Sequence, residues 1–303
     1  NLIVCGSIFS MMTKIFKDKK EPLYNRQTRF MSIKPFTPAV LKEIMAEYNP
    51  NYTSEDLLAL YSFTGGVAKY VQLLVDAGAT TKTKMLNHII KADSVFLGEG
   101  KAILIEEFGK DYGVYFSILS AIARGKTLRS EIEQIVGREI GGYLTKLEKE
   151  YEVITKNQPI FEKSSTKNVR YTIEDNFFTF WFRFIYKYNY MLEIENYDAV
   201  KTIINRDYET FSGKMLERYF KRVLMESKAY TRIGSWWDRK GENEIDIVAE
   251  NELNDEAVFI EVKRKEDNFD ADALNEKVDV FTRATGKFKD YAVSQKGLSM
   301  TDM

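Results

Sequence analysis

Between Glu244 and Arg264 the chain reads EIDIVAENELNDEAVFIEVKR, and its charged residues are spaced for chemistry. Two alternating runs flank a polar turn, the pattern of an antiparallel hairpin. A period of two places Ile245, Ile247 and Ala249 on one face of the first strand and Glu244, Asp246 and Val248 on the other. In the second strand Val258, Ile260 and Val262 share a face, and Phe259, Glu261 and Lys263 take the opposite one. With the turn centred between Leu253 and Asn254, Asp246 lies opposite Glu261 and Glu244 opposite Lys263. Facing carboxylates repel by about 0.2–1 kcal/mol across a strand pair, so a counter-charge is required. Lys263 supplies one. A divalent cation, Mg²⁺ or Mn²⁺, held by Asp246 and Glu261 would supply more. Such an ion polarises a phosphodiester and lowers the pKa of an attacking water. A lysine two residues from the metal-binding glutamate then orients that water or stabilises developing charge. The bland alternative is a solvated, salt-bridged face with no chemistry.

These side chains need a scaffold. Upstream, Tyr208 to Met225 reads as a long helix carrying Glu217. Strands are expected over Tyr230 to Trp237, Glu244 to Glu250 and Ala257 to Arg264, a helix over Asp272 to Thr282, and a last strand over Tyr291 to Ser294. The whole segment, 207–303, is expected to be one α+β domain, joined by a polar linker over 191–206.

The 303 residues are 44% hydrophobic and 29% charged, an ordinary globular balance that allows two or three domains. The 44 Lys+Arg nearly cancel the 45 Asp+Glu, so no global basic field points to nucleic acid and any such site is a local patch. One cysteine, Cys5, excludes an internal disulfide framework and suits the cytoplasm. One histidine, His88, excludes a His-rich metal site. The aromatic run FFTFWFRFIYKYNY, Phe177 to Tyr190, is too short to span a bilayer and is interrupted by Arg183 and Lys187, so it reads as a buried helix and no membrane contact is expected.

At the start of the chain, Leu2 to Cys5 reads as a buried strand, Ile8 to Phe16 as a helix and Phe30 to Ile33 as a second strand. A lone parallel strand cannot stand alone, so further sequence upstream of Asn1 is expected. From Pro38 to about Gly109 the pattern is helical, with Ser54 as an N-cap and a break at Gly65-Gly66. Between 112 and 175 the texture changes. Short helices over Val114 to Ala123, Arg129 to Val136 and Ile140 to Tyr151 precede strands over Glu152 to Thr155 and Val169 to Ile173, the arrangement of a winged helix. Seven basic residues against five acidic lie between Arg138 and Arg170. Lys156, Lys163, Lys167 and Arg170 concentrate on the expected wing, where phosphate contacts with DNA are plausible. Docking of a protein partner is the other use of such a module.

Glu217, Asp246 and Glu261-Val262-Lys263 together resemble the PD-(D/E)xK nuclease superfamily, over about Asp207 to Ser294. That resemblance implies a metal-dependent nuclease-like site with Glu217, Asp246, Glu261 and Lys263 as catalytic residues. Further upstream, Cys5-Gly6-Ser7, Pro22-Leu23-Tyr24-Asn25-Arg26 and Gly65-Gly66-Val67-Ala68-Lys69-Tyr70 resemble, in that order, the tail of an AAA/STAND ATPase of the archaeal type. Asn25 stands where that family has Gly, and Ala68 where it has Pro. The resemblance implies ATP as cofactor, with Ser7 at the sensor strand, Arg26 acting on transferred-phosphate charge, and Gly65 and Gly66 in the lid. No GxxxxGK[ST] loop occurs in these residues, so the ATP site is incomplete here and its phosphate loop is expected upstream.

The fold class expected is therefore multidomain α/β and α. Residues 1–36 would be the tail of an AAA-like α/β core, 37–110 a helical lid, 111–190 a winged helix with the aromatic helix, and 207–303 a restriction-endonuclease-like α+β domain. The function expected is ATP-driven handling of DNA, with self-association through the ATPase core. The alternative is a regulatory or interaction module whose nuclease fold is inactive.

Overall fold

The computed structural model describes residues 15–17 and 19–303. The expected strand at Leu2 to Cys5, most of the helix over Ile8 to Phe16, and Ser7 lie outside the described residues. The chain divides into two compact units, one of residues 1–34 (as far as described), 89–156 and 171–200, the other of 35–88, 157–170 and 201–303. These units do not follow the expected boundaries. Most of the expected lid, 37–88, belongs with the carboxy-terminal residues, and the rest, 89–110, with the segment that follows it.

In the first unit, helix α5 (Val95–Phe108) leads into α6 (Tyr112–Ala123), α7 (Arg129–Val136) and α8 (Gly141–Lys149). Gly137 ends α7 in the left-handed conformation (φ 73°) that the sequence break required. Strands β1 (Ile154–Asn157) and β2 (Arg170–Ile173) form a two-stranded sheet. Three helices and a strand pair thus occupy 112–175. The aromatic run starts as α9 (Asn176–Phe180), capped by Asp175 accepting the Phe178 N–H, continues as a π-helical turn over Trp181–Tyr186, and closes with α10 (Asn189–Glu193). Its rings pack on α6: Phe116 meets Trp181, Phe182 and Tyr186 edge-on at centroid distances of 6.1, 5.3 and 5.3 Å. Trp181, buried, donates its indole N–H to the Leu97 carbonyl at 3.1 Å.

The second unit opens with α1 (Pro38–Tyr48), α2 (Ser54–Thr64), α3 (Ala68–Asp76) and α4 (Lys82–Ile89). Thr53, not Ser54, caps α2, in a capping box closed by Asp56. No strand forms over Phe30 to Ile33, where Met31 and Ile33 are 69% and 89% exposed. Strand pairing needs a partner, and none of the described residues supplies one. The irregular linker expected over 191–206 is also absent: α11 runs unbroken for 31 residues, Tyr197–Ser227. Val200, Ile204, Tyr208, Phe211 and Met215 are buried along it, and that spacing of three and four makes it helical.

The sheet of this unit has the order β3–β4–β5–β6, with β3 (Arg232–Trp237), β4 (Glu244–Asn251), β5 (Glu256–Val262) and β6 (Ala292–Leu298). The first three strands are antiparallel, and β6 runs parallel to β5. That parallel return requires a crossover, and α12 (Ala271–Thr285) provides it. Leu274, Val278 and Phe281 of α12 join Val248, Phe259 and Trp236 in one core. The segment between β1 and β2 is not a free wing. Ile160 donates its N–H to the Ser235 carbonyl at 2.9 Å and enters the same core, while Asn168 accepts the Trp237 indole N–H. Gly234 makes the approach possible, since a Cβ there would lie 2.9 Å from Ile160 Cβ.

Candidate functional site

The β4–β5 register builds the site. Ile247 faces Ile260 and Val248 faces Phe259. Continued by one step, that register sets Asp246 opposite Glu261. The ladder changes there: Asp246 Oδ2 accepts the Val262 N–H at 2.8 Å. Glu261 is 6% exposed. Its Oε1 accepts two ammonium groups, Lys263 Nζ at 2.7 Å and Lys277 Nζ at 3.0 Å, while its Oε2 is buried with no hydrogen-bond partner. The Lys263 N–H is tied to the Leu298 carbonyl of β6 at 2.9 Å, which fixes the backbone from which that lysine projects. Glu217 projects from α11 and pairs with Lys214 one turn earlier at 3.0 Å.

The electrostatics are those of a part-buried acidic cluster whose cations sit on Glu217 and Glu261 rather than on Asp246. Burial, and then the charges of Glu217 and Glu261, push the Asp246 carboxyl up to about 7, against the opposing pull of the Val262 N–H and Lys214. Burial likewise raises Glu217, outweighing its pairing with Lys214, and Glu244 adds to the rise. Burial alone would lower the Lys263 ammonium, but its hydrogen bond to Glu261 and the charges of Glu261, Asp246 and Glu217 raise it. All four expected residues therefore act on one another. They do not form a ready cage: among the described residues no group of three or more His, Cys, Asp or Glu side chains is placed to hold a metal ion. The donor set of Asp246 and Glu261 fits an ion that takes one or two carboxylates and completes its shell with water and phosphate, the habit of Mg²⁺. The partnerless buried oxygen of Glu261 is the atom such an ion would satisfy.

Two participants were not singled out in the sequence. Lys214 lies three residues before Glu217, a spacing that could have revealed it. Lys277 flanks the buried Leu274–Val278 stripe of α12. Arg170, expected to contact DNA from the wing, is committed elsewhere: it pairs with Glu244 at 2.9 Å and lies over the Trp237 ring at 4.4 Å. It is drawn there because Glu244 sits at the edge of the negative cluster. Lys156, Lys163 and Lys167 are exposed.

Arg26 is exposed after a turn in which its N–H bonds to the Leu23 carbonyl at 3.1 Å. Gly65 and Gly66 have φ of 61° and 76° and end α2. Phe36 donates its N–H to the Gly66 carbonyl at 2.7 Å, and a Cβ on Gly66 would lie 2.5 Å from the Phe36 carbonyl oxygen. The close approach of the two chain segments requires the glycine at 66. Gly66→Ala is expected to cost about 2–4 kcal/mol through backbone strain and that clash, read as a lower urea midpoint at unchanged slope.

Residues 181–277 match the model of a family, DUF234, described as archaeal and bacterial proteins of unknown function. The matched span runs from the aromatic π-turn to Lys277 and includes Glu217, Asp246, Glu261 and Lys263. The chain is also 33% identical over 280 residues to an uncharacterized protein, MJECL04, of Methanocaldococcus jannaschii, covering 88% of this chain. The chain spans 60% of that relative's length. No solved structure matches it. No helix among the described residues is long and apolar enough to cross a membrane.

Proposed function

We propose that the Asp246–Glu261–Lys263 cluster is a metal-dependent phosphodiesterase site acting on DNA. The observation that carries this reading is the half-buried Asp246 beside the buried Glu261, whose second oxygen has no hydrogen-bond partner although a lysine is at hand. The element order around it, helix, three antiparallel strands, crossover helix and parallel strand, supports the nuclease-like resemblance. Asp246 and Glu261 would hold Mg²⁺ or Mn²⁺, which when bound polarises the phosphodiester and activates water. Lys263 stabilises charge developing on the phosphoryl oxygens. Glu217 keeps a second acidic group near Asp246 and tethers Lys214 at the rim. Exposed Lys156, Lys163 and Lys167 would serve as backbone phosphate contacts that position the duplex without reading its sequence.

The motif order from Arg26 through Gly65-Gly66 to the acidic site supports a wider proposal. In it this chain is part of an archaeal-type AAA/STAND ATPase that couples ATP turnover to DNA handling, with Arg26 directed at the nucleotide and self-association through the ATPase core. A second reading, an interaction module with an inactive site, is favoured by the two ammonium groups seated on Glu261 and by the lack, among the described residues, of a three-donor metal cage.

Cleavage separates the two. The chain with Mg²⁺ or Mn²⁺ should nick single- or double-stranded DNA, EDTA should stop it, and Lys263→Met should lower the rate at least about 100-fold with DNA binding retained. Equal residual nicking by wild type and Lys263→Met would identify a contaminant and remove the nuclease reading.

A further inference from the structure

We infer that Lys277 is a mobile second lysine of this site: it occupies Glu261 in the metal-free protein and passes to a substrate phosphate when a divalent cation takes its place. The inference rests on the metal-dependent reading above and adds to it a residue and a substrate contact.

Two ammonium groups from different elements converge on one oxygen, Glu261 Oε1, from 2.7 and 3.0 Å. The other oxygen of that carboxylate has no hydrogen-bond partner. A neutral structural bridge would need one lysine per carboxylate and would engage both oxygens. Here the positive charge is doubled on one atom, while Asp246, the neighbouring acid, accepts a backbone N–H, that of Val262. A doubly charged ion placed at Glu261 and Asp246 would repel both ammonium groups, and the more weakly held one must yield.

Lys263 is the poorer candidate to leave. It belongs to the same chain segment as Glu261, two residues away, and its backbone is hydrogen-bonded to Leu298. Lys277 comes from α12, with Leu274 and Val278 buried on either side holding the helix in place. Its contact with Glu261 Oε1 is the longer of the two, 3.0 Å against 2.7 Å, and its side chain, 26% exposed beside 38% for Lys263, still has a route to solvent that leaves the helix unmoved. The ligand that suits a lysine displaced by a metal at this distance is a non-bridging oxygen of the same phosphodiester that the metal binds. The contact is to backbone phosphate and carries no base preference.

The test uses the 303-residue chain with Mn²⁺ alone, then a DNA duplex in Ca²⁺ or in EDTA. Lys277→Met should bind Mn²⁺ at least about fivefold more tightly by calorimetry, because a competing cation is gone. In Ca²⁺ its dependence of log affinity for DNA on log salt should be shallower by about one unit than that of wild type, the signature of one lost phosphate contact. In EDTA the two slopes should agree. Lys277→Arg should behave as wild type in both measurements, and Lys277→Gln replaces Met if that variant does not fold. Unchanged Mn²⁺ affinity and unchanged slope in Lys277→Met, with Mn²⁺ binding present in wild type, would make Lys277 a structural ion pair and overturn this inference alone. Absence of Mn²⁺ binding in wild type would overturn the underlying reading together with it.

Discussion

Asp246→Asn should make the metal-free protein more stable and metal-dependent cleavage undetectable. The Asp246 carboxyl is raised to about 7 in the folded chain by burial and by the charges of Glu217 and Glu261. In the unfolded chain it titrates near its ordinary value of about 3.9. The folded state therefore holds the proton more tightly. Stability contributed by that proton is present at low pH, declines as pH rises from about 4 to about 7, and is gone above it. At pH 8 wild type carries an ionised Asp246 where the fold disfavours charge. Asparagine removes the charge, keeps the volume, and retains an oxygen to accept the Val262 N–H. The expected gain is at most about 4 kcal/mol at pH 8, about 3 pH units at about 1.36 kcal/mol each, and close to zero at pH 4, measured by urea denaturation across that range. A stability loss at pH 8, or a gain independent of pH, would show that Asp246 is not a strained carboxylate. Loss of activity together with gain of stability is the pattern of a residue kept for chemistry.

Arg264→Met should be among the most destabilising single changes in the second unit. Arg264 follows Lys263 directly and is 17% exposed. Its guanidinium donates to Glu55 Oε2 at 2.6 Å and to the Ser212 hydroxyl, and lies 5.6 Å from the centre of the Tyr208 ring. Lys82 completes the arrangement, 3.2 Å from Glu55 Oε1 and 4.6 Å above the same ring. Tyr208 is buried, and its hydroxyl is pushed far above the ordinary range mainly by that burial. One arginine thus joins α2, α11 and the exit of β5. Methionine fills much of its volume but leaves Glu55 with half its counter-charge, at a cost of about 3 kcal/mol. Arg264→Lys should recover less than half of this, since a single ammonium cannot bridge two acceptors in a fixed fork. A Tm within 1–2 degrees of wild type for Arg264→Met, where about 3 kcal/mol predicts several degrees, would exclude that role.

These two residues mark where the sequence was legible and where it was not. Asp246 and Glu261 could be placed opposite each other because alternation and a short polar turn fix register locally. The observed pairing of Ile247 with Ile260 is the one that turn implies. Arg264 and Glu55 are separated by 209 positions, and no local pattern links them. The division of the chain into units depends on such long-range pairs, so the expected boundary at 110 does not appear. The start of α11 was obscured by polar residues between Glu193 and Asn205, although Val200 and Ile204 already carried its period. The loop expected to be a free wing contained one hint of its docking, the apolar pair Ile160-Phe161 amid polar neighbours. Lys277 has no partner within its own helix that would mark it; only the fold brings it to Glu261.

Calorimetric titration of the 303-residue chain with Mn²⁺, in parallel with Asp246→Asn, tests the central claim most directly. The claim predicts saturable binding at one site in wild type and its loss in the variant, with both proteins folded by circular dichroism. Equal heats for the two, or no binding in wild type even with DNA present, would contradict it.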